Sequence, residues 1–191
     1  MNKLTKAIRK ANSKYNKENF ERFKRDIFKH TLIWEGGAKL HKLKGDSGGW
    51  TIYGIAFNYN KEYFKDLADF KDTVYDEAAA IAFCKYYLPA HVNLVQPLAQ
   101  IMYFDMAYNL GTRRTIKMMQ KLIGVVPDGI IGRKTKEKMY LVSLEKLTEV
   151  RKHRYYRLAE NNARLKRFLK GWLNRTNDIE ERSYKQKNNV K

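Results

Sequence analysis

The sequence predicts a mainly α fold with one small β region and a helical C-terminal lobe. Apolar residues recur every three or four positions through most of the chain, which is the period of an α-helix. Only residues 50–57, WTIYGIAF, are short, β-branched and aromatic in the manner of a strand. The hydrophobic share of 43% in 191 residues can supply the core of one domain with an attached lobe.

The helices are placed by their apolar faces and their end signals. The first covers residues 19–34 and ends at Glu35-Gly36, because a glycine pair favours the position after a helix. The second begins at Thr73, with Asp76 three residues on as in a capping box. Later helices are predicted over residues 97–110, 112–123, 143–160 and 163–176, with end signals at Pro97, Gly111, Gly124 and Ser143.

The net charge of +19 lies mostly at the two ends of the chain. Residues 1–30 carry 10 basic and 3 acidic side chains, residues 31–150 carry 16 and 13, and residues 151–191 carry 13 and 4. Basic ends fit three interpretations: a solvated surface, adsorption to an anionic cell-wall polymer or membrane surface, or binding of nucleic acid. The sequence has no zinc-finger, RNP or helix-turn-helix signature, so we expect no specific nucleic-acid partner.

The sequence shows no feature of a secreted or membrane protein. Cys84 is its single cysteine, so no intramolecular disulfide can form, and we expect this residue to be inert. The N-terminus lacks the apolar segment of a signal peptide, and no 18-residue apolar stretch exists. We therefore expect a cytoplasmic chain. A thin apolar stripe within residues 3–15 is a candidate membrane contact, formed by Leu4, Ile8, Ala11 and Tyr15.

Residues 35–51, EGGAKLHKLKGDSGGWT, place two carboxylates among five glycines. Hydrolysis of a glycosidic bond needs a proton donor at the leaving oxygen and a second group that stabilises or hydrates the oxocarbenium-like centre. Glu35 suits the donor because it ends an apolar helix face, and the glycines after it leave room for a sugar. Asp46 and Thr51 can return to the same cleft. A solvated helix end followed by an ordinary turn fits the spacing equally well.

Longer motifs favour the first interpretation. HTLIWEGGAKL followed by GDSGGWTIYGIAF resembles the catalytic segment of the N-acetylmuramidases of glycoside hydrolase family 108. MYFDMAYNLG resembles that family's helix with Asp and then Asn-x-Gly. LIGVVPDGIIGRKT resembles a turn of its C-terminal peptidoglycan-binding region, and RYYRLAENNARLKRFLKGWLNR resembles its closing signature. The matching motifs span roughly residues 20–176 in the family's order.

The resemblance implies a lysozyme-like helical fold and cleavage of the β-1,4 bond between N-acetylmuramic acid and N-acetylglucosamine. It marks Glu35 as the catalytic acid. The Glu…Asp…Thr order is also similar to the triad of phage-type lysozymes, which implies that Asp46 and Thr51 position a water for an inverting reaction. Their spacings of eleven and five residues differ by a residue or two from that triad. Together with the missing signal, this suggests a bacteriophage endolysin released through a holin.

Other candidate site residues are weighed against structural roles. Asn109 and either Tyr53 or Trp50 are expected to bind the sugar, and Gly49 to leave the cleft floor bare. Asp105 is expected to be a structural partner of an arginine or a backbone amide. The DGIIGRKT turn fits a helix entry or a glycan contact equally well. We expect no cofactor and no metal site, because the histidines lack ligand spacing: His30, His41, His91 and His153.

We divide the chain into a basic N-terminal extension, a lysozyme-like catalytic lobe, a peptidoglycan-binding helical lobe and a frayed tail, over residues 1–18, 19–110, 111–182 and 183–191. We expect a monomer whose partner is peptidoglycan. Two alternatives remain open at this point. One is a lytic transglycosylase that uses Glu35 alone, and the other is a non-catalytic basic protein that binds cell wall or nucleic acid.

Overall fold

The computed structural model of the chain describes residues 2–42 and 47–188. The chain divides into two compact units, Met1–Lys85 and Tyr86–Lys191. The described residues are mainly helical with one small antiparallel sheet, which confirms the predicted fold class.

The first unit combines helices with the sheet. Its α-helices are α1 (Lys3–Ala11), α2 (Lys17–Phe23), α3 (Lys29–Leu32), α4 (Leu67–Lys71) and α5 (Tyr75–Ala82). Its strands are β1 (His41–Lys42), β2 (Trp50–Ile52) and β3 (Ile55–Ala56). A π-helical turn, Lys24–Phe28, joins α2 to α3, and another, Phe83–Tyr87, continues α5. Two 3₁₀ turns follow β3, at Phe57–Tyr59 and Lys61–Tyr63.

The segment predicted as one strand is a β-hairpin. The described strands lie in the order β1-β2-β3, and both pairs are antiparallel. Tyr53 and Gly54 form the two-residue turn between β2 and β3 with φ angles of 52° and 73°. Positive φ at both turn residues is what a type I′ hairpin requires. The prediction of a single strand over 50–57 is therefore wrong, because it overlooked a turn whose first residue is not glycine.

Two helix starts also differ from prediction. The first helix begins at Lys17, and a π-helical turn interrupts it before α3 ends at Leu32. The second helix starts after Val74, whose backbone N–H donates to Glu77 Oε2 at 3.1 Å. The expected cap at Thr73 is wrong, because the Thr73 hydroxyl donates to the Phe70 carbonyl at 2.6 Å.

The N-terminal helix belongs to the first unit. Leu4, Ala7 and Ala11 of α1 are buried, and α1 packs against α5. The expected membrane-contacting stripe is therefore wrong for Leu4 and Ala11, since their side chains face the protein interior. Tyr15 is 90% exposed and lies outside the helix. Among the described residues, no helix is both long and apolar enough to cross a membrane.

The core of the first unit is rich in aromatic rings. Phe20 and Phe83 meet edge to face with ring centroids 5.2 Å apart, and Phe23 stacks on Phe28 at 5.3 Å. Phe23 also contacts Phe83 at 5.4 Å. Such pairs add to the free energy of burial, because the positive edge of one ring meets the negative face of another. The cluster joins the α2–α3 segment to the end of α5.

The second unit is built around one buried helix. Its α-helices are α6 (Gln100–Leu110), α7 (Thr112–Leu122), α8 (Arg133–Lys138), α9 (Leu144–Asn161), α10 (Ala163–Lys166) and α11 (Leu169–Asn188). Shorter 3₁₀ turns lie at Val92–Leu94, Pro97–Ala99 and Met139–Leu141. Residues 100–107 of α6 are all buried, and α6 contacts α7, α9 and α11. A helix buried on every face is the centre of a core.

The C-terminal helix is longer than expected. α11 continues to Asn188, so the frayed tail predicted from residue 183 is wrong for residues 183–188. Ser183 is buried, and its hydroxyl donates to the Ile179 carbonyl at 2.9 Å. The Tyr184 hydroxyl donates to Glu145 Oε1 of α9 at 2.7 Å. Packing against α9 thus stabilises a segment whose composition alone suggested disorder.

Candidate active site

Glu35 lies in a tight turn that follows α3. The Glu35 backbone N–H donates to the Leu32 carbonyl at 3.1 Å, and Gly37 N–H donates to the same carbonyl at 3.0 Å. Gly36 and Gly37 have φ angles of 78° and 56°, which side chains other than glycine rarely adopt. The glycine pair therefore stops the helix and leaves the half-buried Glu35 side chain on the turn, as predicted from the sequence.

The Glu35 turn is tied to the tip of the hairpin. The Tyr53 backbone N–H donates to the Gly37 carbonyl at 2.9 Å. Tyr53 has a φ of 52°, an uncommon conformation for a bulky residue and one that stores strain. Because this hydrogen bond joins two turns, the position of Glu35 depends on the position of the hairpin.

Tyr75 holds the hairpin tip from the other side. Its hydroxyl donates to the Lys24 carbonyl at 2.8 Å, within the π-helical turn. Its ring meets the Tyr53 ring edge to face, with centroids 6.2 Å apart. Burial, and secondarily the negative charge of Asp76, raise the pKa of Tyr75 to about 12, so the hydroxyl keeps its proton at neutral pH. The role of Tyr75 could not be predicted from local motifs, because its partners lie 51 and 22 positions away.

Thr51 lies on the central strand of the sheet. It pairs with His41 of β1 and with Ala56 of β3, and its side chain is half-buried. A Cβ placed on Gly36 would lie 3.9 Å from His41 Cε1, so the His41 ring borders the Glu35 turn. His41 lacks metal-ligand spacing in the sequence, and its place beside this turn was not predicted.

The structure revises the expected roles of Trp50 and Tyr53. Strand alternation was expected to send them to opposite faces, but Tyr53 is a turn residue, so that argument does not apply. Lys71 Nζ lies 4.8 Å from the centroid of the Trp50 ring, a cation–π contact that covers part of the ring. Tyr53 is half-buried, and whether it binds sugar stays a prediction.

Gly49 has a structural reason to be glycine. Its φ is 74°, and a Cβ there would lie 2.9 Å from Asn58 Nδ2, closer than contacts allow. Asn58 holds this loop, because its side chain donates to the Ser47 carbonyl at 2.8 Å and its backbone donates to the Gly48 carbonyl at 3.0 Å. Asn58 was missed from the sequence. Asp46 lies outside the described residues, so its role stays a prediction.

Asn109 and Asp105 lie on α6 in the second unit, where they differ in environment. Asn109 is exposed and accepts a hydrogen bond from the Tyr155 hydroxyl at 3.2 Å. Asp105 is fully buried between Arg151 and Arg175, with N–O distances of 2.6 and 2.7 Å. Burial opposes ionisation of Asp105, but the two guanidinium groups outweigh it and hold its pKa below the usual value. The structural role expected for Asp105 is therefore confirmed.

The Asp128-Gly129 turn is organised by the buried Gln120 of α7. Gln120 Nε2 donates to Asp128 Oδ1 at 2.8 Å and to the Ile130 carbonyl at 3.0 Å. Gln120 Oε1 accepts from the Gly129 N–H at 2.8 Å. These contacts support the helix-entry interpretation of the turn. Gln120 was missed, because a lone glutamine on a helix has no sequence signal.

Trp172 and Cys84 have structural environments, and the described residues form no metal-binding group. Trp172 is half-buried and stacks on Tyr155 with ring centroids 5.0 Å apart. Cys84 is half-buried, and burial raises the pKa of its thiol, which disfavours the reactive thiolate. Within residues 2–42 and 47–188, no group of three or more His, Cys, Asp or Glu side chains is arranged to hold a metal ion.

The described residues form a mainly helical, lysozyme-like fold in which a glutamate in a glycine turn lies beside a small hairpin. Comparisons with known families place it further. Residues 28–111 match the model of glycosyl hydrolase 108, and residues 114–177 match a predicted peptidoglycan domain. The chain thus contains a glycosyl hydrolase 108 domain and, after it, a predicted peptidoglycan domain. It is a peptidoglycan hydrolase, which confirms the resemblance read from the motifs.

A solved structure shares this fold. The chain is similar to SagA of Brucella abortus, with a TM-score of 0.68 and 24% identity, over 88% of this chain and 95% of that one. At this identity the likeness concerns the fold. No curated protein matches the chain. The two family matches meet between residues 111 and 114, whereas the compact units meet between Lys85 and Tyr86.

Proposed function

We propose that the chain is an N-acetylmuramidase that cleaves the β-1,4 bond between N-acetylmuramic acid and N-acetylglucosamine, with Glu35 as the general acid. One observation carries this proposal: the hydrogen bond from Tyr53 N–H to the Gly37 carbonyl fixes the Glu35 turn to the hairpin. A general acid must be held in position at the leaving oxygen, and a turn bonded to a paired strand is more rigid than a free loop.

The surroundings of Glu35 suit a carboxyl that donates a proton. Ile33 and Trp34, just before it, are 55% and 37% exposed, so apolar surface lies next to the turn. In this proposal the apolar surface packs against the bound sugar and excludes water from the site. The two glycines after Glu35 present bare backbone, which leaves space for a saccharide.

The second half of the reaction is assigned to Thr51 and Asp46. Thr51 lies on β2, the strand that leads into the bonded hairpin tip, and in this proposal its hydroxyl holds a water. Asp46 precedes the Ser47–Gly49 loop that Asn58 anchors. In this proposal Asp46 activates the water that attacks the far face of the sugar, so the product is the inverted α-anomer.

The decisive test compares Glu35→Gln with the wild type on purified peptidoglycan. Glutamine keeps the shape of the side chain but cannot donate a proton as an acid, so turbidity clearing should fall by about 10²-fold or more. The control is Glu18→Gln, an exposed residue of α2 that should leave clearing unchanged. Clearing by Glu35→Gln at the wild-type rate would remove Glu35 from the mechanism.

A lytic transglycosylase also needs one glutamate, so the products must be identified. Hydrolysis in ¹⁸O-labelled water places one labelled oxygen on the new reducing end, which mass spectrometry detects. Unlabelled anhydro ends would assign the transglycosylase reaction and leave Thr51 and Asp46 without a water to position. Proton NMR of the first anomer released separates inversion from retention, and an initial β-anomer would exclude the role given to Asp46.

We also propose that the protein is a bacteriophage or prophage endolysin that reaches the wall from the host cytoplasm through a holin. The Glu…Asp…Thr order, which is similar to the triad of phage-type lysozymes, supports this proposal. Expression in a susceptible host should lower culture turbidity only after a holin or chloroform opens the membrane. Lysis on expression alone, in cells with an intact membrane, would contradict this route.

A further inference from the structure

We infer that Arg114 and Arg154 form a subsite for a carboxylate of the peptide stem of peptidoglycan. The inference rests on the proposed function, because it names the part of the same polymer that the second unit holds. Both arginines lie within residues 114–177, the match to the predicted peptidoglycan domain.

The two arginines converge at the C-terminal end of α6. Arg114, on the first turn of α7, donates from Nη1 to the Leu110 carbonyl at 3.3 Å. Arg154 lies on α9 next to Tyr155, whose hydroxyl donates to Asn109 Oδ1 at 3.2 Å. Asn109 and Leu110 are consecutive residues at the end of α6, so these hydrogen bonds attach α7 and α9 to the same end of α6. The helices α7 and α9 are also in contact with each other. The exposed Asn109 side chain adds a polar group beside the pair.

The pair carries positive charge that no described acidic residue neutralises. Neither arginine forms an ion pair with an Asp or Glu in the described part of the chain. Burial is the main cause that lowers the pKa of Arg154. The positive charge of the nearby Arg114 is the second cause. Arg154 Nε is also buried and has no hydrogen-bond partner among the described residues.

Two other arginines of the second unit have the acidic partner that Arg114 and Arg154 lack among the described residues. Arg151 and Arg175 share the buried carboxylate of Asp105, so their charges are compensated within the fold. Arg114 and Arg154 repel each other instead, and a partly desolvated guanidinium interacts with an anion more strongly than an exposed one does. Binding of an anion therefore relieves a repulsion that is present in the free protein.

The chemistry of the pair favours a carboxylate. A guanidinium group offers a planar fork of donors that matches two carboxylate oxygens. The anionic groups of peptidoglycan itself are the carboxylates of its peptide stems.

An aromatic stack leads from Tyr155 to the surface, since Trp172 lies against Phe168 at 5.9 Å and Phe168 is 44% exposed. This stack gives the apolar parts of the same polymer a surface to contact.

The test measures binding of the full chain to purified peptidoglycan stripped of teichoic acid, in a Glu35→Gln background so that the polymer stays intact. Arg114→Gln combined with Arg154→Gln should weaken sedimentation binding by about tenfold to a hundredfold, the range expected for lost charge-assisted hydrogen bonds. The matched control is Lys134→Gln with Lys138→Gln, which removes the same charge from exposed positions of α8. That control should bind nearly as the parent does.

A second arm changes the polymer instead of the protein. Conversion of the stem carboxylates to amides should lower binding of the parent to the level of the arginine variant and leave the arginine variant unaffected. Equal losses in the arginine and lysine variants, or undiminished binding to the amidated polymer, would overturn the inference. If the double variant does not fold, Arg114→Gln alone carries the test, because Arg114 is exposed.

The two proposals fail separately. These binding assays use a catalytically disabled chain, so they do not depend on which bond is cleaved. A wild-type protein that releases no fragments from peptidoglycan would contradict the proposed function and leave the binding result standing.

Discussion

The backbone N–H of Tyr53 donates to the carbonyl oxygen of Gly37 at 2.9 Å, which links the hairpin tip to the turn that carries Glu35. Both residues have positive φ angles, 52° and 56°. The hydrogen bond depends on the backbone conformation of both the Glu35 turn and the hairpin tip. Changes to either should therefore alter catalysis as well as stability.

Two glycines allow conformational strain to be separated from steric overlap. Gly37→Ala places a Cβ in open space, so it should cost only the left-handed backbone penalty of about 1–2 kcal/mol of unfolding free energy. Gly49→Ala adds overlap with the Asn58 side chain and should cost clearly more. Urea unfolding of both variants measures the difference. Asn58→Gly also removes the hydrogen bond to Ser47, so the steric part is measured as the smaller cost of Gly49→Ala in an Asn58→Gly background than in the wild type. Equal costs of Gly37→Ala and Gly49→Ala would refute this account.

Tyr75→Phe should reduce both stability and turnover. It leaves the Lys24 carbonyl without the Tyr75 hydroxyl, which should cost about 1–2 kcal/mol of unfolding free energy. Because the remaining ring still contacts Tyr53, we expect a lower kcat with little change in KM. Steady-state kinetics well below the melting temperature check this. An unchanged kcat would show that Tyr75 stabilises the unit without positioning the Glu35 turn.

The same tyrosine predicts a pH dependence at the alkaline end. The pKa of Tyr75 is raised from 10.0 to about 12 in the folded state, by burial first and by Asp76 second. A raised pKa stabilises the protein fully below the unfolded value and loses this effect as pH rises toward the folded value. The stability advantage of the wild type over Tyr75→Phe should thus be constant below pH 10 and shrink between pH 10 and 12. A difference that is independent of pH would contradict the shift.

Asp105→Asn should strongly destabilise the second unit. It leaves Arg151 and Arg175 buried without a counter-charge, which typically costs about 3–5 kcal/mol. Asp76→Asn is the control, because the Asp76 carboxylate is 70% exposed in its ion pair with Lys24 and should contribute less than about 1 kcal/mol. Denaturant unfolding of the two variants compares them, and similar midpoints would argue against a structural role for the Asp105 cluster.

Asp105 also predicts sensitivity to acid. Its pKa is lowered from 3.8 in the folded protein, so its contribution to stability is present above that value and is lost as pH falls through the lower folded pKa. Wild-type stability should therefore decline below about pH 4, and this decline should be weaker in Asp105→Asn. Circular dichroism during acid titration measures it.

Local signals in the sequence predicted much of this fold. Pro97 begins the 3₁₀ turn before α6, Gly111 follows the end of α6, and Ser143 caps the start of α9, as predicted. These ends could be predicted because capping depends on neighbouring residues. The buried Asp105 was likewise assigned a structural partner correctly. Predictions failed where distant contacts decide the outcome: Tyr53 adopts a glycine-like φ, and α11 extends to Asn188 against α9.

In the candidate site, too, local motifs could be recognised in the sequence and distant contacts could not. Glu35 and Thr51 were predicted from a contiguous motif, and a hydrogen bond between Tyr53 and Gly37 joins their segments. Tyr75 and Asn58 were missed because each acts through a contact made only after folding. A single sequence records which side chains are present, but long-range hydrogen bonds depend on the packed chain.

The two-residue turn at Tyr53-Gly54 limits how this enzyme can change in length. Insertion of one residue between β2 and β3 would replace the two-residue turn by a longer loop and move the Tyr53 N–H away from Gly37. Insertions at this turn should therefore lower activity. Single-residue length variation between homologues, and the attachment of engineered loops, should concentrate in the sequence between β1 and Asp46.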